Sequence, residues 1–469
     1  MKISFIEARS PNPHIFSKYP IPRLGAVLLS TILIEQGHEA KAFIEDIDEP
    51  DWPYIESSDI VCISTITSTS KRAYRIADRI RQKGIPVITG GAHPSFLPEE
   101  AIEHADYVVQ GEGDLTLPEL IGYLDKGTPD ITSIKGLSYK DRNSYVINNP
   151  PRPFIEDLDS LPLPDFNLVH NWNPSNIYPI STSRGCPFNC RFCSVIPMFG
   201  RKYRFKSVEI LLKELKHINS FSKGNKFFVD DNFTANKERT KELLRAKISE
   251  HMSFKWSAQV RTDVAKDEEL LRLMADAGCE TVHIGFESVN PKTLEAYNKK
   301  QNIEEIVQCI RRVKDYGIEI HGMFVFGADT DTLDTVKKTA DFAINFCIDT
   351  IQFLILTPLP GTQVFREMKE SSRLLHTDWS KYDGHHIVYK PSLMSPQTLH
   401  IESLKAMGRF YSWKYIFKHL AHFDLFHVAV GLYGKKAIKR ALDESMDYLN
   451  SINALKNPHL LDVSQNFTV

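Results

Sequence analysis

Short apolar runs alternate with longer amphipathic segments over most of the chain, and this alternation predicts its fold. In the first third, apolar or β-branched runs predict strands at residues 1–6, 39–44, 60–64, 86–89 and 107–110. Helical periodicity predicts helices at 24–35 and 71–83. Strands and helices that alternate at this spacing form βαβ units, so residues 1–147 are expected to form a Rossmann-like or flavodoxin-like α/β domain.

A second series of strand–helix repeats follows. Its six apolar runs predict strands at 178–183, 226–230, 255–260, 281–286, 318–326 and 350–356. Six such repeats predict a parallel sheet curled into a partial (β/α)6 barrel over residues 176–370. In barrels of this kind, functional side chains gather at the carboxyl ends of the strands.

The remaining segments are expected to connect and cover these two domains. Residues 148–175 are rich in proline, which disfavours helix, and predict an extended linker across the surface. Residues 371–469 predict a mainly helical region that mixes aromatics with lysines. A basic aromatic helix can make peripheral membrane contact or line a channel for an apolar substrate, although packing on its own domain is the simpler interpretation. Its apolar runs are too short for a transmembrane segment.

Composition narrows the class of protein. The chain has 469 residues and a formal net charge of −2, which argues against a nucleic-acid partner. The first strand lacks the apolar length of a signal peptide. Seven cysteines are an odd number, and unpaired thiols indicate a reducing, cytoplasmic location.

Three of these cysteines are the strongest chemical signal. Cys186, Cys190 and Cys193 follow the first barrel strand with C-x3-C-x2-C spacing. A [4Fe–4S] cluster normally takes four thiolates, so three ligands would leave one iron open for chemistry. A structural zinc site needs four closed ligands and a second cysteine pair that the chain lacks. A disulfide framework fits neither the odd count nor the scattered positions of the other four cysteines.

With Phe192 directly before its last cysteine, this loop resembles the signature of radical S-adenosylmethionine (SAM) enzymes. In that family three thiolates hold a [4Fe–4S] cluster, and the amino and carboxylate groups of SAM chelate the fourth iron. Reduction of the cluster cleaves SAM to a 5′-deoxyadenosyl radical, which abstracts hydrogen from an unactivated position. The resemblance implies an external electron donor such as a flavodoxin or ferredoxin.

Polar residues and glycines at later strand ends extend the resemblance. It implies that Arg261 and Glu287 contact the methionine part of SAM, and that Gly327 lets the backbone approach its adenosine. Asp230 stands where many family members carry a Gly-Gly-Glu-type motif. Each of these residues alone has a structural explanation as a cap, a turn or a surface pair, but together they favour a SAM pocket.

In the first domain, small and hydroxylated loops follow three strands, and their order resembles a cobalamin-binding domain. No G-x-G-x-x-G follows the first strand, which argues against a nicotinamide cofactor. The D-x-H-x-x-G sequence of classical cobalamin domains is also absent, so no histidine is expected on cobalt. The residues that the resemblance implies around cobalamin are Thr65, Thr67, Ser68, Gly90, Gly91, His93, Gly111, Glu112 and Gly113.

The resemblance therefore implies a cobalamin-dependent radical SAM enzyme that methylates an unactivated carbon by way of methylcobalamin. An oxidative cyclase of the anaerobic Mg-protoporphyrin monomethyl ester type has the same layout and stays an alternative. A cobalamin-binding sensor or carrier is the non-enzymatic alternative, but it would leave the three-cysteine loop unused. The sequence does not distinguish between a small-molecule substrate and a lipid-like one.

Overall fold

The computed structural model describes residues 1–10, 21–222 and 224–456, with side chains up to residue 452. Its first domain is built on a seven-stranded sheet in the order β2-β1-β3-β4-β5-β6-β7. The strands are β1 Lys2–Glu7, β2 Glu39–Ile44, β3 Ile60–Ser64, β4 Val87–Gly90, β5 Tyr107–Val109, β6 Leu137–Lys140 and β7 Val146–Asn148. Strands β1 to β5 are parallel, whereas β6 and β7 are antiparallel to their neighbours.

Helices cover both faces of this sheet, because its central strands are apolar on both sides. They are α1 Leu24–Glu35, α2 Trp52–Glu56, α3 Ser70–Arg81, α4 Ala92–Phe96, α5 Pro98–His104 and α6 Gly113–Lys126. Phe5 and Cys62 are buried on the side of α1, while Ile6 and Val61 are buried on the side of α3. The predicted doubly wound domain is confirmed.

The second domain is a six-stranded parallel sheet, which confirms the predicted partial barrel. Its strands, in spatial order, are β8 Tyr178–Ile180, β11 Lys226–Phe228, β12 Trp256–Val260, β13 Cys279–Glu287, β14 Glu319–Phe326 and β15 Thr350–Ile355. A separate antiparallel pair, β9 Ser183–Arg184 and β10 Arg204–Phe205, follows β8. This pair closes the base of the loop that carries the three cysteines.

Amphipathic helices surround the barrel sheet. They are α7 Val195–Phe199, α8 Val208–Phe221, α9 Lys237–Ser249, α10 Glu268–Asp276, α11 Pro291–Ala296, α12 Ile303–Asp315, α13 Leu333–Asn345 and α14 Gln363–Glu370. In α12 a capping box of Asn302 and Glu305 starts the helix, and Ile306, Ile310 and Val313 bury one face. Most of the other barrel helices likewise begin at a capping side chain and bury one apolar face.

The segment between the domains differs from the expected surface linker. It lies between the end of β7 and the start of β8, and it packs against the first domain. Phe166 and Val169 are buried, and the Asp165 N–H donates to Thr31 Oγ1 over 2.9 Å. Apolar residues within the proline-rich stretch explain the difference, because burying them stabilises a fixed path along α1 and β2.

The carboxyl-terminal region contains α15 Pro396–Phe410, α16 Trp413–Ala421 and α17 Leu425–Lys456. Before these helices, the chain reaches back to the first domain. Trp379 Nε1 donates to Glu100 Oε2 over 2.9 Å, and Lys71 pairs with Asp378 over 2.8 Å. Among the described residues, no helix is both long enough and apolar enough to cross a membrane.

Candidate functional site

The three cysteines lie on one loop between β9 and β10, and all three thiols are free and partly buried. Gly185 opens the loop at a φ of +90°, and a Cβ there would lie 2.3 Å from the Lys202 carbonyl oxygen. Within the loop, the Cys186 N–H donates to the Gly200 carbonyl and the Cys193 N–H to that of Cys190. The loop therefore folds into a compact turn that keeps three thiols on one short segment.

The donor set fits an iron–sulfur cluster. Burial raises the pKa of the Cys193 thiol to about 12 and also raises that of Cys190. The positive charges of Lys299 and Arg261 act on Cys190 in the opposite direction and favour its thiolate. Thiols bind metal as thiolates, and the nearby positive charges favour that form. The three unpaired, partly buried thiols therefore suit a metal cluster better than a disulfide.

Arg261 and Glu287 lie beside this loop. The Arg261 guanidinium, at the end of β12, lies 3.7 Å from the ring centroid of Phe188 in the cysteine loop. Glu287, at the end of β13, pairs with Lys299 Nζ over 2.7 Å, and both side chains are nearly buried. The Arg261 cation and the Glu287 carboxylate thus both lie next to Cys190. The resemblance implies that the methionine part of SAM binds there.

Asp230 holds two strand ends together. Its carboxylate accepts hydrogen bonds from the N–H and hydroxyl of Thr182 and from the Ser183 hydroxyl. Burial raises the pKa of Asp230 overall, and these hydrogen bonds offset only part of the rise. The neighbouring Asp231 carboxyl has its pKa raised to about 6, mainly by desolvation and then by the charge of Asp230.

Gly327 and Phe192 lie at the edge of the site. Gly327 follows β14 with a φ of +104°, and its N–H donates to Asp331 Oδ2 over 2.9 Å. A Cβ at Gly327 would lie 2.1 Å from the Tyr389 hydroxyl, so a side chain has no room there. Phe192 packs edge-on against Tyr297, with ring centroids 5.1 Å apart.

A cavity of about 560 Å³ lies between the two domains, next to the cysteine loop. On the barrel side it is bordered by Arg184, Val195, Met198 and Asp230 among others. Six of the residues predicted to surround cobalamin line the opposite wall: Thr65, Gly90, Gly91, Gly111, Glu112 and Gly113. The loops of the first sheet and the loop of the cysteines thus open into one space.

Features of this wall fit a large polar ligand such as cobalamin. A Cβ at Gly91 would lie 2.5 Å from the Thr65 carbonyl oxygen, so only glycine lets these two loops lie this close together. Thr89 Oγ1 is fully buried and has no hydrogen-bond partner among the described residues. Gly90, Gly91 and Gly111 are partly exposed on this wall and offer backbone groups to such a ligand.

Thr67, Ser68 and His93 do not line this cavity. His93 is fully buried, its Nε2 lies 3.1 Å from Glu100 Oε1, and its ring packs edge-on against Trp379. Thr67 and Ser68 belong to a short 3-10 turn next to the segment that carries Trp379. These three residues contact a segment about 290 to 310 positions later in the chain, and the sequence does not reveal such contacts.

Ion pairs across the domain boundary were not anticipated. Arg184 forms two 2.9 Å hydrogen bonds with the Asp114 carboxylate, and Glu112 pairs with Arg204 over 2.8 Å. Burial lowers the pKa of Arg184, but its bonds with Asp114 outweigh this and raise the pKa overall. Glu112 therefore joins the domains in addition to bordering the cavity. The only indication of this role in the sequence is that Arg184 directly precedes the Gly185-Cys186 start of the cysteine loop.

Lys299 and Tyr203 were also missed. Lys299 neutralises Glu287, and the Tyr203 hydroxyl lies 3.7 Å from Cys186 Sγ. Cys347, outside the loop, is exposed. It lies just beyond the end of α13 with a φ of +53°, in a turn that leaves its side chain in solvent.

Two family profiles match the chain. The Radical SAM superfamily profile covers residues 180–343, and the B12 binding domain profile covers residues 16–121. These matches coincide with the barrel and with the first sheet.

Similar proteins include methyltransferases. An uncharacterized methyltransferase of Pyrococcus horikoshii is 35% identical and covers 77% of this chain and 81% of its own length. The bacteriochlorophyllide d C-12(1)-methyltransferase of Chlorobaculum tepidum is 31% identical and covers 77% of this chain and 76% of itself. The solved structure of OxsB, a cobalamin-dependent S-adenosylmethionine radical enzyme, has a TM-score of 0.71 at 18% identity, covering 96% of this chain and 75% of that one.

Proposed function

Since this chain belongs to the radical SAM enzymes that carry an amino-terminal B12-binding domain, we propose that it methylates an unactivated carbon of an apolar molecule. The observation that carries the proposal is the shared cavity. Loops from the cobalamin-type sheet and from the cysteine loop border the same space of about 560 Å³. A methyl donor and a radical source can act on one carbon only if they lie close together.

In this proposal Cys186, Cys190 and Cys193 hold the [4Fe–4S] cluster, and Arg261 and Glu287 orient SAM. When bound, the cluster supplies the electron that cleaves SAM, and cobalamin supplies the methyl group. The Arg261 cation suits the SAM carboxylate, and Glu287 suits its amino group. Lys299 holds the Glu287 carboxylate over 2.7 Å and thereby sets its direction.

Thr65, Gly90, Gly91, Gly111 and Gly113 are assigned to the cobalamin side of the cavity. Their small side chains and backbone groups allow close approach of a flat macrocycle. Arg184 donates to Asp114 across the domain boundary and thereby fixes the two walls of the cavity relative to each other. Tyr389 and Leu399 fill the space beside Gly327, and its contact with adenosine stays a prediction.

The partners follow from the same chemistry. An external one-electron donor such as a flavodoxin or ferredoxin is required, because the chain supplies cysteine ligands for one cluster only. All seven cysteines are free thiols, which suits a reducing compartment such as the cytoplasm. An apolar substrate, which could be lipid-like, is favoured by Val195 and Met198 on the barrel side of the cavity.

The test is a mass-spectrometric count of SAM products from protein reconstituted anaerobically with cobalamin and a reductant. A methylase yields both deoxyadenosine and S-adenosylhomocysteine, because one SAM makes the radical and another supplies methyl. Deoxyadenosine alone would favour the oxidative cyclase, and bound cobalamin without either product would favour a sensor or carrier.

The cysteine assignment has its own control. Cys186→Ala, Cys190→Ala and Cys193→Ala combined should abolish deoxyadenosine formation and the visible absorbance of the cluster. Cys347→Ala, at the exposed cysteine outside the loop, should leave both unchanged. Deoxyadenosine formation by the triple variant would contradict the proposed function.

A further inference from the structure

An exposed apolar surface lies on the hairpin of α16 and α17, far from the cavity. We call it the hairpin patch, and it consists of Trp413, Phe417, Leu420, Phe423, Leu425, Phe426 and Leu432. Phe423 is 87% exposed and Leu425 is 68% exposed. Single exposed hydrophobic residues are normal, but seven large ones within twenty consecutive positions mark an interaction site.

The patch is not needed to pack the hairpin. The opposite face of α16 supplies the buried Tyr415 and Ile416, and the Tyr415 hydroxyl donates to the Asp349 carbonyl over 2.8 Å. Gly431 lets α17 approach closely, since a Cβ there would lie 2.7 Å from Ile416. The outer residues therefore remain apolar for a reason other than folding.

The turn that presents the patch is firmly held. The Asp424 carboxylate caps α17 by accepting from the His427 N–H. Nδ1 atoms of His419 and His427 lie 2.9 Å and 2.7 Å from Asp424 Oδ2. Phe423 and Leu425 flank this anchored aspartate, so the most exposed apolar side chains project from a fixed turn.

Positive charge surrounds the patch. Residues 403–442 contain one acidic side chain, Asp424, and eight basic ones: Lys405, Arg409, Lys414, Lys418, Lys435, Lys436, Lys439 and Arg440. Lys414, Lys418, Lys436 and Lys439 are exposed and form no ion pair with any residue that the structure describes. Lys435 Nζ lies 5.0 Å from the Trp413 ring centroid.

We propose that the hairpin patch docks the protein onto a membrane surface with anionic headgroups. Aromatic and leucine side chains beside unpaired lysines are the combination that binds the interface of such a bilayer. A second copy fits poorly, because a two-fold contact would place the same lysines against each other. The patch lies near Glu319 and Asp349, at the amino ends of barrel strands, so docking leaves the cavity at the other end free.

Vesicle co-sedimentation of the cluster- and cobalamin-loaded protein tests this proposal. Binding to vesicles of phosphatidylglycerol and phosphatidylcholine is expected to exceed binding to phosphatidylcholine alone and to weaken as salt rises. Phe423→Glu with Phe426→Glu should reduce vesicle binding by about tenfold or more. Tyr145→Glu, at a 70% exposed tyrosine between β6 and β7, is the matched control and should bind like the original protein.

Two results would overturn the proposal. One is equal vesicle binding by the double variant and the original protein, or no binding by either. The other is a dimer, seen by sedimentation velocity without vesicles, that the double variant loses, since the patch would then be a contact between copies. Unchanged cluster absorbance and deoxyadenosine formation in the double variant would show that it is folded. Those readouts also separate this proposal from the proposed function.

Discussion

Burial changes the acid–base behaviour of individual residues inside the barrel. His283 on β13 and His321 on β14 face each other with ring centroids 4.8 Å apart. Desolvation lowers the pKa of His283 to about 4, and desolvation together with the neighbouring His283 lowers that of His321 well below its usual value. Both imidazoles are therefore neutral at pH 7, and protonating either of them inside the sheet is unfavourable.

A pH dependence of stability follows for His283. Between pH 6.5 and 4 the unfolded chain takes up a proton that the folded protein excludes, so stability falls as the pH falls through this window. His283→Phe should remove about 2 kcal/mol of the loss between pH 7 and pH 5. The measurement compares midpoints of thermal unfolding at pH 7 and pH 5.

His217→Phe provides the control, because this histidine is exposed on α8. It should lose as much stability as the original protein between the two pH values. If His283→Phe showed the same loss as His217→Phe, desolvation of His283 would not contribute to acid sensitivity.

At the scale of elements, glycines decide how closely loops and strands approach. Gly91 follows β4 with φ and ψ of +101° and −173°, a conformation essentially limited to glycine. A Cβ there would collide with the backbone of Thr65, which follows β3. The cavity wall formed by these two loops therefore depends on one missing side chain.

Gly91→Ala should push the loop after β3 out of place and lower the affinity for cobalamin by about tenfold or more, roughly 1.4 kcal/mol. The affinity is measured by equilibrium dialysis. Gly84→Ala is the matched control, because Gly84 also has a positive φ, of +78°, but its Cβ would meet no atom within 4 Å. Gly84→Ala should cost about 1–2 kcal/mol of stability and leave cobalamin affinity unchanged. Equal affinities for both variants would contradict this account of the wall.

At the scale of the whole molecule, buried ion pairs join the two domains beside the cysteine loop. Arg184 is 17% exposed, whereas its partners Asp114 and Glu112 are 6% and 3% exposed. Removing one partner of a buried pair leaves an uncompensated charge, which costs far more than breaking a surface pair. The relative position of the domains is thus sensitive to this single arginine.

Arg184→Gln should destabilise the protein by about 3–5 kcal/mol and loosen the contact between domains. The expected signs are a lower midpoint of thermal unfolding and faster proteolysis between β7 and β8. Arg245→Gln breaks an exposed pair with Glu269 and should cost about 0–1 kcal/mol. Similar losses in both variants would show that the buried network does not hold the domains together.

The sequence alone determined the two α/β domains, their order and the identity of the three-cysteine loop. These properties depend on local information, because strand and helix periods and short ligand spacings are written into consecutive residues. The strand that carries Glu287 and the strand that precedes Gly327 could be placed for the same reason. The tertiary structure decided which side chains meet. In it Arg184 contacts Asp114, Lys299 pairs with Glu287, and His93 packs against Trp379. Such contacts join positions that are distant in the chain, and they depend on how whole layers pack, which no local pattern specifies.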